Sequence, residues 1–64
     1  MIYQAEFIKR RTRDNFAESL RQQLPRFVQV QTEDRAYYYV RVALTPNFYN
    51  NLPVELRHSL SEVK

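Results

Sequence analysis

Arginine and tyrosine are the residues in this chain best equipped to recognise a planar or anionic partner, and they alternate in one stretch. Residues 35–42 read RAYYYVRV. Side chains in an extended strand point alternately to opposite faces, so Tyr37, Tyr39 and Arg41 share one face with Arg35, and Tyr38, Val40 and Val42 share the other. Tyrosine rings stack on unpaired bases at about 1–3 kcal/mol per base. The planar guanidinium fork suits phosphate and also stacks on flat rings. A second concentration lies in IKRRTR, residues 8–13, where Lys9, Arg10, Arg11 and Arg13 put four cations within five residues. They precede a helical pattern, and the free amides at a helix start already favour anions. Together these residues form a candidate nucleic-acid-binding set. The competing interpretation of the basic run is a solvated loop whose charge Asp14 and Glu18 partly offset.

Catalytic chemistry finds little support. His58, with Glu55 and Glu62 nearby in sequence, is the only histidine. General acid–base work needs such a group held in a cleft, and no nucleophile or oxyanion site accompanies it. The chain contains no glycine, which excludes the glycine-rich phosphate loop and the dinucleotide fingerprint. It contains no cysteine, which excludes disulfides and thiolate metal sites. The expectation is a binding protein, not an enzyme, with neither cofactor nor metal.

With 64 residues, there is room for one domain spanning residues 1–64. A chain of this size buries only about 60% of the surface its unfolded form exposes. Small domains often gain support from a partner, so a homodimer is expected to be possible. Net charge is +3, from ten basic and seven acidic residues, and all but two of the basic residues are arginine. A nucleic acid or an acidic protein surface is the partner this balance favours. No run approaches the ~20 apolar residues of a membrane span and no signal peptide is visible, so a cytoplasmic location without membrane contact is expected.

The elements that must position these groups follow from periodicity. Residues 2–9 read as a strand, with Tyr3, Ala5 and Phe7 on one face. Residues 14–24 read as a helix, with Phe16, Ala17, Leu20 and Leu24 in one stripe, capped by Asp14 or Thr12 and stopped by Pro25. Glu18 and Arg21 lie one turn apart and form a weak pair. Residues 26–32 and 35–44 read as the two arms of a hairpin around a Glu33–Asp34 turn. Thr45 and Pro46 start a single turn that carries Phe48 and Tyr49 towards the core. Residues 53–63 read as a closing helix through Leu56, Leu60 and Val63, with Asn51 as its cap.

The order strand-helix-strand-strand-helix gives an α+β fold with a three-stranded antiparallel sheet and both helices on one face. Tyr38, Val40, Val42 and Leu44, the more apolar set, belong to the core. Tyr37, Tyr39 and Arg41 then lie on the open face, where Tyr3 and Phe7 join them if the first and third strands are neighbours. Three uses of that face compete: nucleic-acid stacking, a dimer or partner interface, and cross-strand aromatic packing.

RAYYYVRV resembles the RNP1 signature of RNA-recognition motifs, basic-x-aromatic-x-aromatic-Val-x-apolar, with Arg35, Tyr37, Tyr39, Val40 and Val42 in the matching places. IYQAEF is similar to that family's first-strand motif in carrying an aromatic, Tyr3. Ala36 stands where the signature has glycine, the final strand of the family is missing, and the likeness covers about eight residues. We read it as convergence rather than membership. The resemblance implies stacking of unpaired bases on the sheet face. The resulting expectation is a small basic accessory or regulatory protein that binds DNA or RNA, of the kind phages and mobile elements encode. The alternative is a protein-binding regulator, either inhibitor or adaptor, or a homodimeric module, using the same face or an open sheet edge.

Overall fold

The apolar pattern is realised as β1 (Ile2–Phe7), α1 (Arg10–Gln23), β2 (Val30–Asp34), β3 (Tyr38–Ala43), α2 (Pro46–Asn50), α3 (Val54–Ser59) and β4 (Ser61–Val63). These come from a computed structural model that describes residues 1–63. The strands form one antiparallel sheet in the order β2-β3-β1-β4. β1 and β2 therefore run in the same direction with β3 between them, and β3 and β4 do so around β1. This is the connectivity of a split β-α-β motif.

Register decides which residues share a face. Tyr3 lies opposite Val42, Ala5 opposite Val40 and Phe7 opposite Tyr38. This face meets the stripe Phe16, Ala17, Leu20 and Leu24 of α1, together with Leu44, Leu52 and Leu60. Leu20, Val40 and Val42 are the largest fully buried side chains, each contributing roughly 1.5–3 kcal/mol by leaving water. Tyr49 of α2 stacks on Tyr3 with ring centroids 4.4 Å apart and planes within 5°, while Phe7 packs at a tilt on Phe16. Helices thus cover one face of the sheet.

The structure corrects several sequence expectations. The sheet has four strands, not three. The closing helix stops at Ser59, Leu60 turns extended, and residues 61–63 pair with Ile2–Gln4. The i, i+4, i+7 spacing of Leu56, Leu60 and Val63 fits a helix, but β4 supplies hydrogen-bond partners to an edge of β1 that would otherwise have none. Leu60 still reaches the core, whereas Val63 is exposed.

α1 begins at Arg10, one turn earlier than expected, with extended Lys9 as its N-cap and no side-chain capping bond. Thr12 and Asp14 lie inside the helix. Arginine is a good helix former, and the extra turn delivers Arg13 to Asp34. β2 starts at Val30 and includes Glu33 and Asp34, so the hairpin turn falls at residues 35–37. Tyr3 and Phe7 belong to the helix-covered face, not the open one, because β1 pairs with β3 in the register given above. Asn51 closes α2 instead of opening α3, whose N-cap is Pro53. At α2 the Thr45–Pro46 start holds: the Thr45 hydroxyl accepts from the Phe48 amide at 3.4 Å. In keeping with a glycine-free sequence, no residue takes a positive φ among the described residues.

Candidate nucleic-acid interface

The second face of the sheet carries the residues of opposite parity. Tyr39 lies opposite both Glu6 of β1 and Glu33 of β2, and Arg41 lies opposite both Gln4 and Gln31. β4 adds Ser61 and Val63 beside Gln4 and Ile2. The Tyr39 hydroxyl donates to Glu6 Oε1 at 3.3 Å. Arg35, in the hairpin turn, sits over the Tyr39 ring at 4.7 Å and pairs with Glu33 at 2.8 Å. Arg41 Nη2 donates to Gln4 Oε1 at 2.9 Å, while its Nε is buried without an acceptor. Burial, then the charge of Glu6 and its hydrogen bond, push the Tyr39 phenol above its ordinary range, with Arg35 pulling the other way. Tyr37 is 46% exposed beside this group.

The basic run reaches the same end of the molecule through Asp34. Arg10 lies 3.8 Å from Asp34, the residue that immediately precedes Arg35. Lys9, Arg10 and Arg11 are exposed at the N-cap and first turn of α1, which has no acidic residue of its own. Cations at a helix N-terminus are disfavoured by its dipole, so this turn holds positive charge that an anion would relieve.

Arg13 is different. It is 3% exposed and bonds Asp14 at 2.7 Å, Asp34 at 2.7 Å, and the carbonyls of Glu33 and Tyr39 at 3.2 and 3.4 Å. Its guanidinium also lies 5.5 Å from the Tyr38 ring centroid. These partners hold its pKa above the usual arginine value, chiefly the Asp14 hydrogen bond and against the opposing effect of burial. The side chain ties α1 to the hairpin and has no room for a phosphate.

At the opposite end of the open face, a groove of about 430 Å³ runs between the strands and the α1–β2 connection. Ile2, Gln31, Arg41, Phe27 and Phe48 are among the residues that line it. The two rings meet edge to face with centroids 6.3 Å apart. Arg41 thus belongs both to the Tyr39 end and to this groove.

Of the residues expected at the site, Tyr39 and Arg41 lie on this face, Arg35 reaches Tyr39 from the turn, and Tyr37 lies in that turn; the sequence pattern did not point to Gln4, Glu6, Gln31 and Glu33 beside them. Their signal was the two-residue period of β1 and β2, readable only once the core face of each strand is known. The sequence pattern places Phe27 in a strand, whereas it lies before β2 and is exposed. His58 is exposed, and with α3 ending at Ser59 it has no helical neighbour at Glu62. Among the described residues, no three His, Cys, Asp or Glu side chains are grouped to hold a metal ion, and no helix is long and apolar enough to cross a membrane. Comparison with protein-family models, with curated proteins and with solved structures found no match.

Proposed function

We propose that this chain is a small accessory or regulatory module that binds unpaired DNA or RNA across the helix-free sheet face. The observation that carries the reading is the presence of Tyr39 and Arg41 on that face, with Arg35 stacked over Tyr39 from the adjoining turn and Arg10 of the basic first turn of α1 beside Asp34 at the same end. Tyr39 and the guanidinium over it offer stacking surface, Arg41 offers a cation at the centre of the sheet, and the first turn of α1 offers charge for a phosphate. The fourth strand supports the reading further. The RNA-recognition motif also uses a four-stranded sheet whose aromatics stack bases, and Tyr39, at an RNP1-like place, lies on the open side with Arg35 over its ring. Tyr3 departs from that likeness by facing the core.

The test is titration of short labelled single-stranded oligonucleotides at low salt. Tyr39→Ala and Arg41→Ala are each expected to weaken binding by roughly 5- to 150-fold, the equivalent of about 1–3 kcal/mol. Absence of binding to single- and double-stranded DNA and RNA by the unaltered chain would reject the proposal.

A protein partner is the second reading. It is favoured by the acidic residues Glu6 and Glu33, which balance Arg35 on the same face, and by the open outer edge of β2, whose side chains beyond Val30 are exposed. Strand addition would use such an edge, and salt-insensitive capture of a protein would support it.

A further inference from the structure

The groove beside Phe27 has a composition that no stacking role of Tyr37 or Tyr39 explains. Phe27 is 78% exposed, a costly position for a large ring with no partner on its outer side. Phe48 backs it from α2. The groove is lined mainly by apolar and amide side chains, among them Ile2, Gln29 and Gln31, and among the described residues Arg41 is the only charged one in its lining. The Nε–H of Arg41 is buried and lacks an acceptor, although its Nη2 is held by Gln4. The site therefore presents an aromatic wall, two amides and one cation, and among the described residues its lining includes no carboxylate to repel an anion. A ligand that satisfies all of these is flat and apolar on its faces, carries hydrogen-bond acceptors on its edge, and is attached to negative charge.

We infer that this groove is a second base-binding subsite, in which one unpaired nucleobase packs against Phe27 and offers an edge acceptor or phosphate oxygen to Arg41. The inference rests on the proposed nucleic-acid reading and extends it. Arg41 is shared between the Tyr39 end and the groove, so a single strand crossing β3 would place successive nucleotides on Arg35 and Tyr39, on Arg41, and against Phe27. Gln29 and Gln31 lie where they can read the edge of the last base, since amide side chains pair with adenine-type donor and acceptor patterns. The contact would give the strand a preferred direction and a minimum length. A nucleotide bound at the Tyr39 end alone leaves the groove empty.

The experiment compares the unaltered chain with Phe27→Ala and Tyr39→Ala on homopolymeric oligonucleotides of about two to about eight nucleotides, within the range of small single-strand sites. Phe27 is exposed, so its replacement leaves the fold intact, and retention of the far-ultraviolet circular dichroism spectrum checks this. Phe27→Ala is expected to weaken binding of the longer oligonucleotides by about tenfold or more and to leave the shortest unaffected, whereas Tyr39→Ala weakens both. Cross-relaxation between the Phe27 ring and base protons should appear only with the longer strands. If Tyr39→Ala weakens binding and Phe27→Ala changes nothing at any length, the subsite is wrong and the main reading stands. If the unaltered chain binds no oligonucleotide, both fail. If Phe27→Ala abolishes binding of a short aromatic peptide with a free terminal carboxylate but spares oligonucleotides, the groove is a peptide site and the inference is overturned.

Discussion

Arg13 and Asp34 join the first turn of α1 to the last residue of β2, Nη1 to Oδ1 at 2.7 Å, with the guanidinium almost wholly buried. The pair explains both why α1 starts early and why Asp34 is unavailable for the turn. Arg10 approaches the same carboxylate at 3.8 Å but from solvent. The Arg13 guanidinium is 3% exposed but Asp34 is 49% exposed, so what Arg13→Ala removes is a set of hydrogen bonds to a charged group, worth about 1.5–3 kcal/mol, while an exposed pair contributes about 0–1 kcal/mol. Arg13→Ala is therefore expected to lower unfolding stability by about 2 kcal/mol. Arg10→Ala should cost less than about 1 kcal/mol. Urea denaturation at two ionic strengths distinguishes them, and equal costs would contradict the roles given to the two arginines.

The tyrosines divide in the same way. Tyr3 is 6% exposed and stacked on Tyr49, whereas Tyr37 lies in the turn with nearly half its surface in water. Tyr3→Ala should cost about 3–5 kcal/mol, as for other large buried rings. Tyr37→Ala should fall within about 0.5 kcal/mol, as for surface positions generally. Chemical denaturation measures both, and a large loss from Tyr37→Ala would place that ring in the core.

Alkaline pH offers an independent check. Tyr3 and Tyr39 both titrate above the ordinary 10.0. For Tyr3 the causes are burial and then the charges of Glu62 and Tyr49. Between pH 10 and their folded-state values, the folded chain keeps protons that the unfolded chain has released. The stability they contribute is complete below about pH 10 and is lost as pH rises through the folded values. Denaturation midpoints followed across that window should decline, and Tyr39→Phe should make the decline shallower. A midpoint that rises above pH 10 would contradict these environments.

Binding, if it follows the proposed reading, should weaken steeply with salt. Each phosphate contact on a single strand contributes about −0.7 to the slope of log affinity against log salt. Arg11→Ala, which alters an exposed first-turn cation, is expected to reduce that slope by about one contact without changing stability. Anisotropy titrations at several salt concentrations measure this. An unchanged slope would remove the α1 turn from the interface.

The most legible part of this molecule was β3. Alternation of Tyr38, Val40, Val42 and Leu44 against Tyr37, Tyr39 and Arg41 marked its two faces, because the apolar set is unambiguous. β1 was not legible to the same degree. Tyr3, Ala5 and Phe7 compete with Ile2 and Ile8, and only the pairing of Tyr3 with Val42 decides between them. The tail misled for a different reason: Leu56, Leu60 and Val63 satisfy a helical period, yet the free edge of β1 draws residues 61–63 into the sheet, a long-range effect that no local pattern carries. The start of α1 was hidden because its stabilising contact, Arg13 with Asp34, spans a sequence gap that propensity and capping rules do not cover. The groove had no sequence signal, since Phe27 in an apolar run looks like any strand residue.

The most direct measurement is the map of backbone amide shifts when a single-stranded oligonucleotide is titrated into the isotopically labelled protein. The expected perturbations lie on Gln4, Glu6, Tyr39 and Arg41, on the turn at Arg35 and Tyr37, and at Lys9–Arg11. The solvent side of α1 around Gln22 and the α3 surface around His58 should remain unperturbed. Perturbations confined to those helical surfaces, or none at low salt, would contradict a nucleic-acid interface on the open sheet face.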